Sequence, residues 1–186
     1  MTSMRIALCM AAILVAGAGA GLTAEPAPHA GLETRAVKAL SADQVRGYLA
    51  GDGMGQALAA ELNHYPGPRH VIALAERLGL SAEQLTRVRR IEADMTGEAV
   101  SLGRAVVAAE QALDRLFASG SARRETLREA VSEIARLKGV LRYTHLQYHL
   151  TVKAIVTPDQ VALYNRLRGY TRPDAGGAGH GGRHPR

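Results

Sequence analysis

A phrase of five residues occurs three times in this chain, and each copy specifies the start of a helix. The copies read LSADQ at 40–44, LSAEQ at 80–84 and VTPDQ at 156–160. In each copy the Ser or Thr hydroxyl can accept a hydrogen bond from the backbone N–H three residues later, while the Gln side chain accepts one from the N–H of the hydroxyl residue. This reciprocal arrangement is a capping box, so a chain with three of them is constrained to fold largely as helices.

The boxes also predict how the chain packs as it enters each helix. The capping residues are Ser41 with Gln44, Ser81 with Gln84, and Thr157 with Gln160. An aliphatic residue precedes each cap and another follows each glutamine, as do Leu40 and Val45, which is the spacing of a hydrophobic staple. We therefore assign the boxes a structural role and expect the function on the surfaces between them.

The N-terminal residues have the pattern of a secretory signal. Arg5 precedes an apolar run over 6–16, and small residues follow. The run is shorter than the ~20 residues that a membrane-spanning helix needs, which favours a signal peptide over 1–24, cleaved after Ala20 or Ala24. An uncleaved membrane anchor is the alternative. We therefore expect an exported, periplasmic protein.

Composition limits what an exported chain of this kind can be. Its single cysteine, Cys9, falls within the predicted signal peptide, so the exported part has neither a disulfide nor a thiolate metal site. Aromatic residues make up 4%, with no Trp and one Phe, which is typical of a helix bundle with thin interfaces. The remaining length of about 160 residues is enough for one domain.

Short helices are predicted ahead of the second box. A leader occupies 25–39, and the first box opens a helix that residues 51–53, Gly-Asp-Gly, interrupt. A second short helix is expected near 55–62. Pro68 suits the first turn of a third helix, which Gly79 ends.

Two long helices follow the second box. Apolar residues recur at spacings of three and four over 85–116, which predicts one helix over 82–118 with a narrow apolar seam. Residues 119–121 supply a turn with Ser121 as the next cap, and the same spacing then resumes, so a second helix of similar length returns beside the first. The third box opens a closing helix over about 158–168.

The predicted fold is therefore all-α, a long antiparallel helical hairpin with short flanking helices over 40–170. A strip of Ala and Leu on such an elongated shape makes a poor closed core for a monomer, so we expect a homodimer. Beyond Tyr170, the Gly- and His-containing tail over 171–186 has no apolar periodicity and is expected to be disordered.

The boxes at 80–84 and 156–160, on either side of a helical hairpin and behind a signal peptide, resemble the paired LTxxQ motifs of the Spy/CpxP family of periplasmic proteins. Residues 53–70 and 167–170 resemble the branch described as periplasmic heavy-metal sensors. Ser replaces Thr in the first two boxes and Val replaces Leu in the third, and both exchanges keep the capping chemistry. The resemblance covers 40–170. It implies a Spy/CpxP-like dimeric cradle that acts as an ATP-independent chaperone, a stress adaptor or a metal sensor.

One pair of histidines offers a metal site. His145 and His149 are four residues apart on a predicted helix, so both side chains lie on one face. The residues that a turn near Gly120 would bring opposite are Asp94, Met95 and Glu98. Nickel and cobalt sensors related to the Spy/CpxP family are expected to use a His followed four residues later by Met, and His145 and His149 are the matching positions. A divalent transition metal is one interpretation of the pair, and a structural or surface role is the other.

Two further histidines, His64 and His70, flank a Pro-containing break. They are either additional ligands or loop and helix-start residues. His180 and His184 lie in the Gly-rich tail, where metal binding would cost a large ordering entropy.

Positive charge is concentrated near the C-terminus. The formal net charge is +6, and residues 134–172 contain seven basic residues against one acid. With interleaved tyrosines this stretch predicts either a solvated helix face or a surface that attracts partly folded clients by charge and holds them by shallow apolar contact. The residues of this predicted client-binding face are Arg136, Lys138, Arg142, Tyr143, Tyr148, Arg166 and Arg168. Export argues against nucleic acid as the partner.

No motif for catalysis is present, so we expect no enzyme and no required cofactor. The preferred interpretation is a periplasmic ATP-independent chaperone or envelope-stress adaptor that binds unfolded proteins or a membrane regulator. The alternative is a periplasmic heavy-metal sensor or resistance accessory protein that binds Cu, Zn, Ni or Co and signals to a membrane partner.

Overall fold

The computed structural model describes residues 27–170. The chain divides into two units, Met1–Gly31 and Leu32–Arg186. In the first, the described residues 27–31 form a turn in which the Ala30 N–H donates to the Ala27 carbonyl at 2.8 Å. The predicted signal peptide over 1–24 and the predicted disordered tail over 171–186 lie outside the described residues.

The described part of the second unit contains helices joined by loops and no strand, which confirms the predicted all-α class. A 3₁₀ turn at Leu32–Thr34 precedes the α-helices. The helices are α1 (Ala42–Ala50), α2 (Leu58–Glu61), α3 (Pro68–Ala73), α4 (Ala75–Leu78), α5 (Ala82–Ala118), α6 (Arg124–Lys153) and α7 (Pro158–Leu167). No helix within residues 27–170 combines the length and the apolar character required to cross a lipid bilayer.

All three capping boxes form. The hydroxyls of Ser41, Ser81 and Thr157 accept from backbone N–H groups three residues on, at 3.1, 3.1 and 3.2 Å. The glutamine Oε1 atom of each box in turn accepts a hydrogen bond from the backbone N–H of the capping residue, at 2.8 to 3.0 Å. The boxes therefore set the first residues of α1, α5 and α7.

The second and third boxes also bind each other. The Gln84 side-chain amide donates to Gln160 Oε1 at 2.9 Å, and the Gln160 amide donates to Gln84 Oε1 at 3.1 Å. Each amide also reaches a carbonyl on another segment, that of Ile155 for Gln84 (3.0 Å) and that of Gly79 for Gln160 (3.3 Å). The glutamines of two capping boxes thus also hold the first turns of α5 and α7 against each other.

The helix predicted from Pro68 to Gly79 is interrupted. Leu74 separates α3 from α4 because its N–H is shared between the carbonyls of His70 (3.1 Å) and Val71 (3.3 Å), which tightens the turn. Gly79 ends α4 with φ at 62°, a left-handed conformation that glycine adopts without a Cβ penalty.

The hairpin turn lies further along the chain than predicted. The first helical residue of α6 is Arg124 and its cap is Arg123, so the prediction that Ser121 caps this helix was wrong. Contacts across the hairpin pair Glu98 with Tyr148 and Glu110 with Lys138. Compared with the predicted hairpin, α6 is displaced along α5. His145 therefore lies beside residues of α5 that follow Asp94 in the sequence.

One cluster of buried residues, which we call the α1 core, packs α1 and the segment before it against the middle of the hairpin. Its members are Val37, Leu40, Tyr48, Ala99, Val106, Val107, Leu137 and Leu141. At Gly103 the two backbones come so close that a Cβ would collide with the Tyr48 carbonyl. The absence of a side chain at Gly103 is therefore what allows α1 to cross α5 here.

A second cluster, the α7 core, packs α3, α4 and α7 against the N-terminal part of α5 and the C-terminal part of α6. Its members are Val71, Leu78, Val88, Val152, Val156 and Tyr164. The staple residues Leu80 and Val161 pack against it. The Tyr164 side chain, 1% exposed, brings a hydroxyl into this otherwise apolar cluster.

Candidate functional site

A cavity of about 290 Å³ opens where six segments of the chain meet. The lining comes from the loop after α1, from α2, from the start of α3, from the middle of α5, from the C-terminal part of α6 and from the residues directly after α7. The side chains that offer nitrogen or sulfur to the cavity are Met54, Met95, His70, His145, His149, Arg69 and Arg168. The structure therefore brings together three residues of the predicted metal site, Met95, His145 and His149, and adds His70.

A buried carboxylate, Glu61, forms one wall of the cavity. It is 6% exposed and accepts hydrogen bonds from Tyr164 (2.8 Å to Oε1), from Tyr170 (2.8 Å to Oε2) and from His70 Nδ1 (2.9 Å to Oε1). Burial alone would raise the pKa of Glu61, but the donors from His70, Tyr164 and Tyr170 outweigh it and hold the pKa below its usual range. The carboxylate is therefore ionised, and it ties α2, α3 and α7 together.

The His149 ring is held in a defined tautomer. Its Nδ1 lies 2.8 Å from the carbonyl oxygen of Tyr65, and because a carbonyl only accepts, Nδ1 carries the hydrogen. In the neutral ring Nε2 then has its lone pair free. A histidine that binds a metal through one nitrogen typically donates its other N–H to a carbonyl or carboxylate in this way.

Gly67 makes room for the His149 ring beside Glu61. A Cβ at this position would lie 2.9 Å from Glu61 Oε1 and 3.1 Å from His149 Nε2. Both groups therefore approach the same backbone atom from the cavity side. A side chain at position 67 would displace one of them.

His145 is the most deeply buried of the cavity histidines. It is 2% exposed, and its Nε2 has no hydrogen-bond partner within the described part of the chain. Burial is the main cause that lowers the pKa of His145, and charge repulsion from Arg69, and from His149 when that ring is protonated, lowers it further. The ring is therefore neutral near pH 7, and a residue that lines the cavity carries a buried nitrogen without a hydrogen bond.

Two of the residues predicted to complete the metal site lie elsewhere. Asp94 and Glu98 are exposed on α5 and do not line the cavity. Glu98 accepts from the Tyr148 hydroxyl at 2.8 Å, and partial burial together with this carboxylate raises the pKa of Tyr148 to about 12. His64 is also exposed and outside the lining, with its backbone at a φ of 66°.

Within residues 27–170, no three His, Cys, Asp or Glu side chains are arranged to hold a metal ion as they stand. His70 lines the cavity, but its Nδ1 is engaged by Glu61, and the Glu61 oxygens accept from two tyrosines as well. The imidazole and thioether groups of the lining that are left for a ligand are those of His145, His149, Met95 and Met54, together with Nε2 of His70.

The residues of the predicted client-binding face differ in their contacts. Lys138 is bound to the buried carboxylate of Glu110 at 2.5 Å, and Arg136 pairs with Glu133 at 2.7 Å. Arg168 lies at the cavity, where it donates to the Tyr170 hydroxyl at 3.1 Å. Arg166 is exposed on α7.

Of the remaining members, Tyr148 contacts Glu98 and Arg142 is exposed on α6, while Tyr143 lines an apolar groove between α2 and α6. The groove has a volume of about 230 Å³ and is lined by Ala59, Ala60, Tyr65, Tyr143, Leu146, Gln147 and Leu150. Tyr143 is 64% and Leu150 59% exposed, which is high for large apolar side chains. Lys153 lies over the Tyr65 ring at 3.6 Å and adds positive charge at one end.

Sequence reasoning missed the centre of the site. Glu61, Gly67 and the hydroxyls of Tyr164 and Tyr170 are brought together only by the tertiary fold. One signal was present, because Glu61 stands between Ala60 and Leu62 on a short apolar helix, where a carboxylate needs partners if it is buried.

Comparisons of the chain with family descriptions, with curated proteins and with solved structures return no match. The function is therefore argued from the two surfaces above, the cavity and the groove.

Proposed function

We propose that this chain is an exported helical protein that binds a transition-metal ion in the cavity through His145 and His149 and transmits its presence to a membrane partner. The observation that carries the proposal is the His149 ring, whose Nδ1 is committed to the Tyr65 carbonyl while Nε2 is free at the cavity. That is the arrangement of a ligand already oriented by a second partner.

His145 supports the same conclusion independently. A buried nitrogen without a hydrogen-bond partner costs free energy in the folded protein, on the order of 1–3 kcal/mol. A bound metal ion would satisfy it. The resemblance to periplasmic metal sensors, whose helix carries ligands four residues apart, agrees with this pair.

The position of the cavity supports a signalling role. Glu61, in its wall, joins α2 to α3 through His70 and to α7 through Tyr164. An ion that draws His145 and His149 together would act on these contacts. We expect the surface around α2 and α7 to differ between the metal-free and the metal-bound protein, and a membrane partner would read that difference.

Calorimetry of the full chain with zinc, nickel, cobalt and copper tests the proposal. We expect one tight site that is lost in His145→Ala/His149→Ala and retained in His64→Ala, a histidine outside the cavity. A His180→Ala/His184→Ala variant separates binding by the tail. Unchanged affinity in the His145→Ala/His149→Ala protein would contradict the proposal.

The apolar groove favours a second function, that of an ATP-independent chaperone or stress adaptor. We propose that Tyr143, Leu146 and Leu150 contact apolar segments of partly folded proteins. Positive charge supports this second function, because residues 134–158 contain no acid and Lys153 lies over Tyr65, a residue of the groove. Long-range attraction followed by shallow apolar contact tolerates many client sequences.

Suppression of aggregation tests the second function. Without ATP, equimolar protein should slow the aggregation of an unfolded client, and Tyr143→Ser/Leu150→Ser should abolish this. Val140→Ser is the matched control, since Val140 is a 37% exposed apolar residue of α6 outside the groove. Equal activity of all three proteins would remove the groove from consideration.

We also propose that the protein forms a homodimer of Spy/CpxP-like form. Phe117 is 60% and Val131 50% exposed near the turn of the hairpin, where a second copy would bury them. Analytical ultracentrifugation should then show a dimer that Phe117→Ser/Val131→Ser weakens.

A further inference from the structure

The donors that face the cavity are soft. Resting on the proposed metal site, we propose that its ion is Cu(I), held by the Met95 thioether together with His145 and His149, with Met54 at the cavity mouth. All three inner side chains are almost fully buried, at 6%, 2% and 5% exposure, and all three line the same cavity. The thioether of Met95 is the soft ligand that favours Cu(I) over the harder divalent ions, and imidazole binds copper as well as those ions.

The hard donors of the cavity are already occupied. The Glu61 carboxylate is the only acidic side chain among the lining residues, and its two oxygens accept from His70, Tyr164 and Tyr170. Asp52, on the adjoining loop, is paired with Arg69 at 3.2 Å. An ion that requires several oxygen ligands therefore finds none free here.

Burial also disfavours a divalent ion at this place. Met95, His145 and His149 are almost fully buried, and the desolvation cost of an ion rises steeply with its charge. The lining carries one carboxylate, Glu61, against the guanidinium groups of Arg69 and Arg168, and Arg69 is paired with Asp52 and Glu92. A monovalent ion incurs the smaller desolvation cost.

Met54 gives the cavity a second thioether nearer to solvent. It stands between Gly53 and Gly55, is 42% exposed and has a backbone φ of 39°. Its sulfur packs against Gly47 of α1. We assign to Met54 a weaker contribution than to Met95, as a contact at the mouth.

Competition with a chromogenic Cu(I) chelator under anaerobic, ascorbate-reduced conditions tests the inference on the full chain. Met95→Leu keeps the volume of the side chain and removes the sulfur, and we expect it to weaken Cu(I) binding at least tenfold while zinc binding is unchanged. Met54→Leu should weaken Cu(I) binding by a smaller factor. His180→Ala/His184→Ala should bind Cu(I) as the parent does.

A measurement on the unaltered protein guards against misfolding of a variant. With ¹³C-methyl-labelled methionine, one equivalent of Ag(I), a redox-inert surrogate of Cu(I), should shift the Met95 methyl resonance. An unshifted Met95 methyl, or equal Cu(I) affinity in Met95→Leu, overturns the inference. If zinc or nickel binds through His145 and His149 while Cu(I) and Ag(I) do not compete, this inference fails and the proposed function stands. If no ion binds, both fail.

Discussion

The α1 core and the α7 core are built on the same two long helices, yet they bury different chemistry. Around Tyr48 and Gly103 the contacts are apolar and backbones touch, and the one buried charge nearby, Glu110, is paired directly with Lys138. Around Tyr164 the chain buries a carboxylate, a phenol and, next to them, two imidazoles. The α1 core is held by apolar contacts. The region around Tyr164 buries polar groups, which costs free energy unless hydrogen bonds or a ligand satisfy them.

This difference indicates where function resides in the molecule. Buried polar groups are retained when a network satisfies them or when a ligand does. The Glu61 network is satisfied internally, and the His145 nitrogen is not. The polar region therefore divides into a part whose hydrogen bonds are satisfied and a part with an unpaired nitrogen, which is where we propose that a metal ion binds.

The largest effect should come from Gly103 in the α1 core. Gly103→Ala places a methyl group against the Tyr48 carbonyl, which belongs to the backbone and cannot rotate away. α1 must shift, and we expect a loss of ~3 kcal/mol in the free energy of unfolding, measured in urea.

Gly97 is the matched control on the same helix, because nothing lies within 4 Å of a Cβ there. Gly97→Ala should stabilise the protein by ~0.5–1 kcal/mol through helix propensity. Equal effects of the two substitutions would show that the α1 core is not closely packed at Gly103.

The next largest effect should come from the hydroxyl of Tyr164 in the polar region. Tyr164→Phe removes a donor to both oxygens of the ionised Glu61, and we expect a loss of ~2 kcal/mol at pH 7. Because the folded pKa of Glu61 is depressed, its stabilisation is present above the unfolded value of 4.5 and is lost as the pH falls through the folded value. The variant should therefore lose less stability on acidification than the parent. Tyr143→Phe, whose ring is exposed, should change neither quantity.

Much of the fold could be predicted because it is encoded locally. The capping boxes and the three-and-four spacing fix where α5 and α7 begin, and hydrogen bonds within four residues determine both. The start of α6 was misplaced since Ser121 resembles a cap in sequence, whereas Thr126 supports the cap at Arg123 through its hydroxyl at 3.1 Å. An error of a few residues at this turn shifts every pairing across the hairpin.

The site was only partly predictable for the opposite reason. His145 and His149 belong to one helix, so their spacing reveals a shared face. Their partners come from segments distant in sequence, as Tyr65 does for His149 and Glu61 for Tyr164, and no local pattern encodes such contacts. The predicted carboxylates Asp94 and Glu98 lie on the exposed face of α5, whereas Met95 lies on the buried face and lines the cavity.

A smaller effect should separate the two kinds of capping box. Gln44→Ala removes only the local cap of α1 and should cost ~1 kcal/mol. Gln84→Ala removes the same cap and the amide contact with Gln160, so we expect a larger loss of ~2 kcal/mol. A double-mutant cycle of Gln84→Ala with Gln160→Ala, followed by urea unfolding, should give a coupling energy clearly above zero. A coupling energy of zero would show that the three boxes act as independent caps.

The smallest effect is a pH dependence confined to the polar region. Because burial lowers the folded pKa of His145 below the unfolded value of 6.5, the unfolded chain takes up a proton that the folded one does not. Stability is therefore complete above pH 6.5 and declines below it, by at most about 1.4 kcal/mol per pH unit, until the folded pKa is reached. His145→Asn should flatten this part of the curve in urea unfolding between pH 7 and 5, while Gly97→Ala should leave its slope unchanged. If the stability of His145→Asn depends on pH as steeply as that of the parent, another group takes up the proton. The two cores would then not differ in this pH dependence.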